Sequence, residues 1–388
     1  MKIIIVSTAY PLRGGIAHFN ALLAKHISKH HDVETITFKR QYPSFLFPGK
    51  TQVEDSTRRD ESGGNTGIEG FLPAPQLIDS INPLNWLSVA SEIKKRKPDL
   101  LIFKYWLPFF GPCFGTIAKL VKRGTHTKVL FICDNIIPHE RRPGDVVFTK
   151  YAFSAADYFI VQSKSVERDL NMYFPNSTYR LVPHPVYENF GMPIPKEEAR
   201  AKLNIKQKNI LLFFGYVRAY KGLDTLIDAM KLMRDMGYAM WDMSVFIVGE
   251  FYDDEKKYRQ QVKDLNLESS IRFVSEYVPN DEVAKYFCAS DVVVLPYRSA
   301  TQSGIVQIAY NFNKPVIATD VGGLSETVLH ERTGYIVPPE NPGALAEAII
   351  KFYDEQKQEE FSRNVQEEKK NYSWEHFVNQ IEEMVGKK

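Results

Sequence analysis

Short apolar runs alternate with helix-like patterns along the first half of the chain. The predicted strands cover residues 3–6, 33–38, 100–104, 129–133, 158–161 and 179–182. After the first strand, residues 17–29 place apolar side chains at the spacing of an amphipathic helix. Runs that are apolar throughout and separated by helices are typical of parallel strands buried on both faces. The pattern therefore predicts an α/β domain with a parallel sheet.

A second series of the same kind begins near residue 209. Its predicted strands cover residues 210–214, 244–248, 271–273, 292–295, 316–318 and 335–337. Its predicted helices cover residues 223–234, 256–265, 281–289, 304–312, 323–331 and 344–351. The chain has 388 residues, and at roughly 100–200 residues per domain this length suits two domains. We therefore expect two Rossmann-like domains.

Prolines mark the junction between the two series, at positions 183, 185, 193 and 195. They disfavour helix and suit an interdomain linker. We predict an N-terminal domain over residues 1–187 and a C-terminal domain over residues 188–372. Residues 373–388 read as an amphipathic helix capped by Ser373, which we expect to pack back on the first domain. Residues 42–70 break the pattern and predict a long mobile loop.

The net charge argues against a nucleic-acid-binding domain, and the cysteine spacing argues against a disulfide framework or a zinc site. The formal net charge of +2, with an isoelectric point near 8.2, is too mild for a nucleic-acid-binding domain. The basic run at residues 94–97 is interpreted as a solvated helix end, with anionic lipid or an acidic acceptor as the alternative. Cys113, Cys133 and Cys288 stand apart in apolar contexts, so we expect buried free thiols in a reducing compartment.

Apolar runs are too short to indicate a membrane or secreted protein. Residues 3–6 are too few for the hydrophobic region of a signal peptide. No uninterrupted apolar run reaches the ~18 residues that a transmembrane helix needs. We expect a cytoplasmic protein, with peripheral contact at the inner face of the membrane left open.

Glycine-rich loops with cationic or hydroxyl side chains follow three predicted strands. Residues 8–17 (TAYPLRGGIA) contain Gly14 and Gly15 at the start of the first helix, where backbone amides favour an anion. The loop lacks the G-x-G-x-x-G dinucleotide fingerprint, and a merely tight turn is the alternative. In residues 213–222 (FFGYVRAYKG), Gly215 allows a turn beside Arg218 and Lys221, which suit a diphosphate or are solvated cations.

The third loop covers residues 295–305 (LPYRSATQSGI) and leads into a predicted helix at Gly304. The free amides of that first turn point beyond the edge of the strands, so phosphate is a natural ligand and a plain capped loop is the alternative.

The motifs occur in an order that resembles a known family. They are Gly215-x-x-Arg218-x-x-Lys221-Gly222, residues 291–296 (DVVVLP), residues 314–319 (KPVIAT), Gly322-Gly323-x-x-Glu326 and residues 333–337 (TGYIV). Together they resemble the donor domain of the retaining GT-B glycosyltransferases of family 4, over nearly all of residues 205–350. This resemblance implies an α/β protein of the GT-B type, with two Rossmann-like domains that face each other across a cleft.

The resemblance also implies roles. The N-terminal domain would bind a hydroxyl acceptor, glycan or lipid-linked, and the C-terminal domain a nucleotide sugar of UDP or GDP type. Arg218 and Lys221 would neutralise the departing diphosphate, and Gly14 or Gly15 would approach its phosphates from the other domain. The remaining donor-binding residues would be Gly215, Glu250, Tyr277, Ser299, Thr301, Gln302, Ser303, Gly304, Ile305 and Gln307. No D-x-D cluster stands in a context that suggests a metal, so neither metal nor separate cofactor is expected.

Two departures from the family pattern affect the donor and the reacting sugar. The paired glutamates that the family carries around the third loop correspond to Ser299 and Gln307. Gln307 can still hydrogen-bond the ribose hydroxyls, as the second glutamate does in the family, whereas Ser299 cannot supply the carboxylate that assists at the sugar. Where the family often has a histidine after the strand at 129–133, this chain has Asp134, with His139 a few residues on. Both are candidates for catalysis at the sugar, and a plain loop histidine is the alternative for His139.

Four residues of the first domain are candidates for acceptor contacts: Arg13, Lys104, Trp106 and Arg141. For Lys104 and Trp106, packing in an aromatic core is the alternative.

The main hypothesis is a metal-independent hexosyltransferase-type enzyme of polysaccharide or glycoconjugate synthesis. A non-catalytic sugar-nucleotide-binding or scaffolding protein is the alternative, suggested by the missing carboxylates. An epimerase on a similar scaffold is a third, with acid and base residues only at Asp134, His139 and Glu140.

Overall fold

A computed structural model describes residues 1–43, 53, 74–137 and 142–386. The chain divides into two compact units. Unit 1 comprises Met1–Pro185 and Trp374–Lys388, and unit 2 comprises Val186–Ser373. The predicted domain boundary at residues 187 and 188 lies beside this division.

Unit 1 contains a parallel sheet whose described strands are β1 (Lys2–Val6), β2 (Asp32–Arg40), β3 (Gln76–Asp79), β4 (Leu100–Tyr105), β5 (Lys128–Cys133), β6 (Tyr158–Val161) and β7 (Tyr179–Leu181). Their order is β3-β2-β1-β4-β5-β6-β7. Every residue of β4 is buried, and in β1 and β5 all residues but the first are buried, because helices cover both faces of such a sheet. The six strands predicted from the apolar pattern are confirmed within one or two residues at each end.

The short strand β3 was not predicted from the sequence. It has only four residues, and its side chains run from exposed Gln76 to buried Ile78 and Asp79. A run this short carries too little periodicity to separate a strand from a loop. The predicted loop at residues 42–70 lies almost entirely outside the described residues.

The described helices of unit 1 are α1 (Gly15–Ile27), α2 (Pro83–Arg96), α3 (Gly111–Lys122), α4 (Asp145–Phe153), α5 (Lys164–Tyr173) and α14 (Trp374–Val385). α14 packs on α1, where the ring of Phe19 lies 5.1 Å from that of Trp374 and 5.7 Å from that of Phe377. His31 Nε2 lies 2.8 Å from the Glu382 carboxylate. The last helix therefore belongs to the same unit as the first.

Unit 2 contains a second parallel sheet. Its described strands are β8 (Asn209–Phe214), β9 (Met243–Val248), β10 (Ile271–Val274), β11 (Val292–Leu295), β12 (Val316–Thr319) and β13 (Gly334–Val337), in the order β10-β9-β8-β11-β12-β13. Its helices are α6 (Lys196–Lys202), α7 (Leu223–Asp235), α8 (Glu255–Asp264), α9 (Asn280–Ala289), α10 (Gly304–Asn311), α11 (Leu324–Thr327), α12 (Pro342–Asp354) and α13 (Gln358–Glu368).

The end of one predicted helix of unit 2 was wrong. The prediction placed a helix over residues 323–331, whereas α11 ends at Thr327. Beyond it, Leu329 N donates to the Thr333 hydroxyl and Glu331 adopts a left-handed backbone, so the chain turns tightly into β13. Side-chain hydrogen bonds of this kind compete with helix, and the local sequence does not reveal them. α13 was not predicted.

The structure also shows the outcome for the basic run at residues 94–97, the cysteines and the apolar runs. The basic run ends α2, with Arg96 paired to Glu34 and Glu92 and Lys97 in a left-handed conformation. The three cysteines are buried and free, as expected. Across the described residues, no helix is both long enough and apolar enough to cross a membrane.

Candidate functional site

The order of strands in unit 2 defines where a ligand would bind. From β8 the chain adds β9 and β10 on one side, and then returns to add β11, β12 and β13 on the other. β8 and β11 are neighbours in parallel register. Open α/β sheets bind ligands beyond the carboxyl ends of the strands at such a reversal of strand order. The loops that follow β8 and β11, with the first turns of α10, contain most of the donor-binding residues predicted in unit 2.

Gly215 begins the loop after β8, with a φ of 98° that favours glycine. A Cβ at this position would lie 3.1 Å from the Lys221 Nζ and 3.1 Å from Cδ1 of Ile305. The ammonium group of the first loop and the first turn of α10 therefore meet at Gly215. This close approach is what a shared phosphate site requires.

Lys221 is a buried cation. Its residue surface is 7% exposed, and its Nζ lies 5.5 Å from the centre of the Tyr297 ring. Burial, with a smaller contribution from the charge of Arg218, lowers its pKa to about 7. No carboxylate within the described part of the chain forms an ion pair with it. A buried lysine without a counter-charge is costly, and it is a site of strong attraction for an anion.

Arg218 precedes Lys221 on the same loop and is exposed. Its guanidinium carbon lies 5.0 Å from the centre of the Tyr252 ring. Among the described residues no acid pairs with it. Arg218 and Lys221 thus present two positive charges at one edge of the sheet.

Arg298 is a third cation near this loop, and no role was predicted for it. It pairs with Asp224 at 2.6 Å and with Glu340 at 3.1 Å. Its guanidinium also donates to the Ala219 carbonyl at 2.6 Å, and its backbone N–H donates to the Tyr220 carbonyl at 2.7 Å. Arg298 therefore holds the loop after β8 in place, with its own charge neutralised by protein acids.

The N-terminus of α10 contributes amides to the same edge. Ser303 caps the helix by accepting from the Ile305 N–H at 3.3 Å, and its hydroxyl lies 3.3 Å from that of Tyr297. Helix N-termini carry a partial positive charge and favour anions. Of the predicted residues, Ser303 is this cap, Gly304 and Ile305 lie in the first turn, and Thr301 and Gln302 directly precede the cap; each is partly exposed.

Gln307 lies one turn further along α10. It is 3% exposed, and its Oε1 has no hydrogen-bond partner among the described residues. Buried polar atoms are nearly always paired, so the unpaired amide oxygen of Gln307 is a candidate to accept a hydrogen bond from a ligand. Ser299 is partly buried in the loop before the helix.

The remaining donor-binding candidates of unit 2, Glu250 and Tyr277, lie in the loops that follow β9 and β10. Glu250 is buried two residues after β9, and its carbonyl accepts from the Val217 N–H at 2.9 Å. Tyr277 is half-buried after β10, two strands away from β8. The structure therefore brings Glu250 beside the loop after β8 and places Tyr277 further along the sheet.

Unit 1 has its own reversal of strand order between β1 and β4. Gly14 and Gly15 follow β1, and Gly14 has a φ of 111°. A Cβ at Gly14 would meet none of the described residues within 4 Å. Arg13 is partly buried beside the two glycines. Gly14 leaves open space at the start of α1, as a loop that approaches a ligand would.

Lys104, at the end of β4, is paired inside the protein. It is 1% exposed, and its Nζ lies 2.6 Å from the Asp134 carboxylate, 2.9 Å from the Gln162 amide oxygen and 3.7 Å from the centre of the Phe19 ring. Burial lowers the pKa of Lys104, and Asp134 opposes that shift. These groups already contact the Lys104 ammonium inside unit 1. A contact between Lys104 and the hydroxyl acceptor of the sugar therefore stays a prediction.

Trp106 has both packing and polar contacts in unit 1. Its ring lies 4.5 Å from that of Phe110, and its indole N–H donates to the Tyr42 hydroxyl at 2.9 Å. This is the aromatic packing that was the alternative to acceptor binding. His139, Glu140 and Arg141 lie outside the described residues, and their roles remain predictions.

His184 was missed, because the prolines around it indicated a linker. It is buried against Phe19 with ring centres 5.0 Å apart, and its Nδ1–H donates to the Pro185 carbonyl at 2.7 Å. Burial, and secondarily the charge of Lys104, lower its pKa to about 3, so the imidazole is neutral. No signal in the local sequence separates this histidine from a linker residue.

Comparison with known proteins supports the resemblance found in the motifs. The family model for glycosyl transferases group 1 matches residues 195–382. An uncharacterized glycosyltransferase of Methanocaldococcus jannaschii is 26% identical over 97% of this chain and 96% of its own length. The D-inositol 3-phosphate glycosyltransferase of Pseudarthrobacter chlorophenolicus is 32% identical, in a match that covers 37% of this chain and 34% of that protein.

Solved structures share the architecture at lower identity. The Anabaena protein HepE in complex with UDP-glucose superposes with a TM-score of 0.73 at 17% identity, and the match covers 99% of both chains. Likeness at this identity shows the fold, while the family model covers residues 195–382. Residues 195–382 therefore belong to the glycosyl transferases group 1 family, and the chain has the GT-B fold, with two parallel-sheet α/β domains.

Proposed function

We propose that the chain is a retaining glycosyltransferase that transfers a sugar from a nucleotide diphosphate sugar to a hydroxyl acceptor. The observation that carries this proposal is Lys221, a buried ammonium without a described counter-ion, next to Gly215 and the first turn of α10. A diphosphate would supply the missing negative charge. The solved neighbour HepE was crystallised with UDP-glucose, so a donor of UDP or GDP type is the first choice.

The chemistry requires the bond between the anomeric carbon and the diphosphate to break while a bond to the acceptor oxygen forms. Negative charge then grows on the departing diphosphate. Lys221, Arg218 and the amides at the start of α10 are fixed donors that would stabilise this charge without reorganising. The acceptor proton would pass to the leaving phosphate on the same face, which gives retention and requires no enzymic base.

These fixed donors at the phosphates would stabilise the charge that a metal stabilises in other transferases, so we propose a metal-independent reaction. The buried oxygen of Gln307 would accept a hydrogen bond from a ribose hydroxyl. On the acceptor side, Asp134 and His139 remain the candidates for contact with the reacting sugar. Polysaccharide or glycoconjugate synthesis in the cytoplasm, at or near the inner membrane face, is the proposed setting.

The test compares Arg218→Ala and Lys221→Ala with Arg259→Ala, an exposed arginine of α8 paired with Glu255. Transfer and donor hydrolysis are measured with UDP- and GDP-sugars over a broad acceptor panel. We expect each site variant to lose about 10²–10³-fold in turnover without any loss of thermal stability, and the control to match wild type. Near-normal turnover in both site variants would overturn the proposal.

A second candidate is a non-catalytic sugar-nucleotide-binding protein of the same fold. The observation in its favour is that Ser299 and Gln307 stand where the family carries carboxylates. The same panel decides between the two: nucleotide binding that depends on Arg218 and Lys221, without turnover of any donor, would favour it.

A further inference from the structure

Tyr252, four residues after the end of β9, contacts two side chains of the loop after β8. Its ring centre lies 5.0 Å from the guanidinium carbon of Arg218. The same ring stacks on Tyr216, with centres 4.6 Å apart and planes 20° from parallel. An arginine over an aromatic face is attracted by the ring quadrupole, and contacts within ~6 Å are effective.

The backbone fixes these rings relative to each other. The Val217 N–H donates to the Glu250 carbonyl and the Tyr252 N–H donates to the Val217 carbonyl, each at 2.9 Å. Gly249 has a φ of 142°, and a Cβ there would lie 2.2 Å from the Gly215 carbonyl oxygen. The two loops therefore continue the parallel pairing of β8 and β9 beyond the sheet, and the rings stand on a closely packed backbone.

The difference between Arg298 and Arg218 shows what an aromatic support achieves. Arg298 is held by Asp224 and Glu340, which fix its position and also cancel its charge. Arg218 has a ring where Arg298 has carboxylates. A ring restricts the guanidinium without neutralising it, so the full charge is left for a ligand.

We propose that Tyr252, backed by Tyr216, is a positioning residue that orients Arg218 toward the donor diphosphate. This inference rests on the proposed function, because it assigns Arg218 to the diphosphate. Tyr252 acts through Arg218, so its ring matters to nucleotide binding only while that arginine is present. Its hydroxyl has no part in the effect.

The experiment is a double-mutant cycle on nucleotide affinity, measured by isothermal titration calorimetry with UDP and with GDP. The variants are Tyr252→Leu, Tyr252→Phe, Arg218→Ala and the pair Tyr252→Leu with Arg218→Ala. We expect Tyr252→Leu to weaken binding about two- to fivefold, which corresponds to ~0.5–1 kcal/mol. Tyr252→Phe keeps the ring and should bind nucleotide with wild-type affinity. In the Arg218→Ala background, Tyr252→Leu should have no further effect.

A matched control is Phe273→Leu, which removes a ring 4.6 Å from the guanidinium carbon of Arg259 and should leave affinity unchanged. Tyr252→Leu at wild-type affinity, or an equal loss with and without Arg218, would overturn the positioning role while the effect of Arg218→Ala still supports the proposed function. If Arg218→Ala binds as wild type does, or if neither nucleotide binds wild type, the proposed function fails and the inference fails with it.

Discussion

Each unit holds a buried lysine next to the reversal of strand order in its sheet, and the two lysines have opposite surroundings. Lys104 of unit 1 lies 2.6 Å from the Asp134 carboxylate and donates to Gln162. Among the described residues, Lys221 of unit 2 lies against glycine, aliphatic and aromatic neighbours, with a second cation, Arg218, nearby. The Lys104 ammonium has a carboxylate partner inside the protein. The Lys221 ammonium has no carboxylate partner among the described residues, and the proposed diphosphate would supply one.

This difference separates a structural cation from a binding cation. Breaking a buried ion pair leaves an uncompensated charge, so its cost appears in the stability of the fold. Removing an unpaired buried cation relieves the fold, and its cost appears in ligand binding. The comparison can be tested by measuring both quantities for both lysines.

The largest expected effect is on stability in unit 1. Lys104→Met should lower the free energy of unfolding by about 3 kcal/mol, because it leaves Asp134 without its ammonium partner. Urea denaturation followed by tryptophan fluorescence measures this, since Trp86, Trp106 and Trp374 belong to unit 1. The double variant Lys104→Met with Asp134→Asn should recover much of the loss. If Lys104→Met is as stable as wild type, Lys104 is not a structural cation and the contrast with Lys221 fails.

The next effect is on the pH dependence of nucleotide affinity. The pKa of Lys221 is lowered from 10.5 to about 7, so the free protein loses this charge as pH rises above 7. A bound diphosphate favours the charged form, so binding requires proton uptake and the affinity contributed by Lys221 should fall about fiftyfold between pH 7 and pH 9. Calorimetry of wild type against Lys221→Met isolates this from titration of the nucleotide. A pH-independent ratio would contradict the assignment.

A smaller effect of opposite sign to that of Lys104 is expected for the stability of Lys221→Met. A lysine whose folded pKa lies below its unfolded value takes up protons on unfolding, so it destabilises the fold below pH 10.5. Lys221→Met should therefore be more stable than wild type at pH 7. The gain should shrink toward pH 10 in thermal unfolding scans. Loss of stability at pH 7 would show that Lys221 has a partner inside the fold.

The smallest effect concerns the other unsatisfied group of unit 2, the Gln307 amide oxygen. Gln307→Leu removes a buried acceptor without a described partner, so the ligand-free protein should lose no stability. Nucleotide affinity should fall about two- to tenfold, the value of one hydrogen bond. Calorimetry with UDP or GDP against the matched deoxyribonucleotides shows whether a ribose hydroxyl is the partner: a loss of equal size with both would argue against that role.

Much of the fold and part of the candidate site could be predicted from sequence. The alternation of apolar runs and helical patterns indicated both parallel sheets, because strands buried on both faces have a distinct composition. The loops with Gly215, Arg218, Lys221 and Gly304 were found because strand-to-helix turns at a sheet edge carry a recognisable mixture of glycine, hydroxyl and cationic residues. The failures were the short strand β3, the end of α11 at Thr327, which side-chain hydrogen bonds determine, the buried His184, and the helix α13 of 11 residues.

The sequence by itself determined that one lysine lies at the end of an apolar strand, that another follows a second apolar strand, and that a family motif surrounds the latter. It did not distinguish their roles, because a counter-charge comes from a neighbouring strand far along the chain. The parallel pairing of β4 with β5 aligns Lys104 with Ile132 and brings Asp134, which follows β5, beside the ammonium. β11, the neighbour of β8, ends at Leu295 and is followed by Pro296 and Tyr297, which offer no acid. Only the tertiary structure, by placing certain strand ends side by side, decided that Lys104 has a carboxylate partner and that Lys221 has none among the described residues.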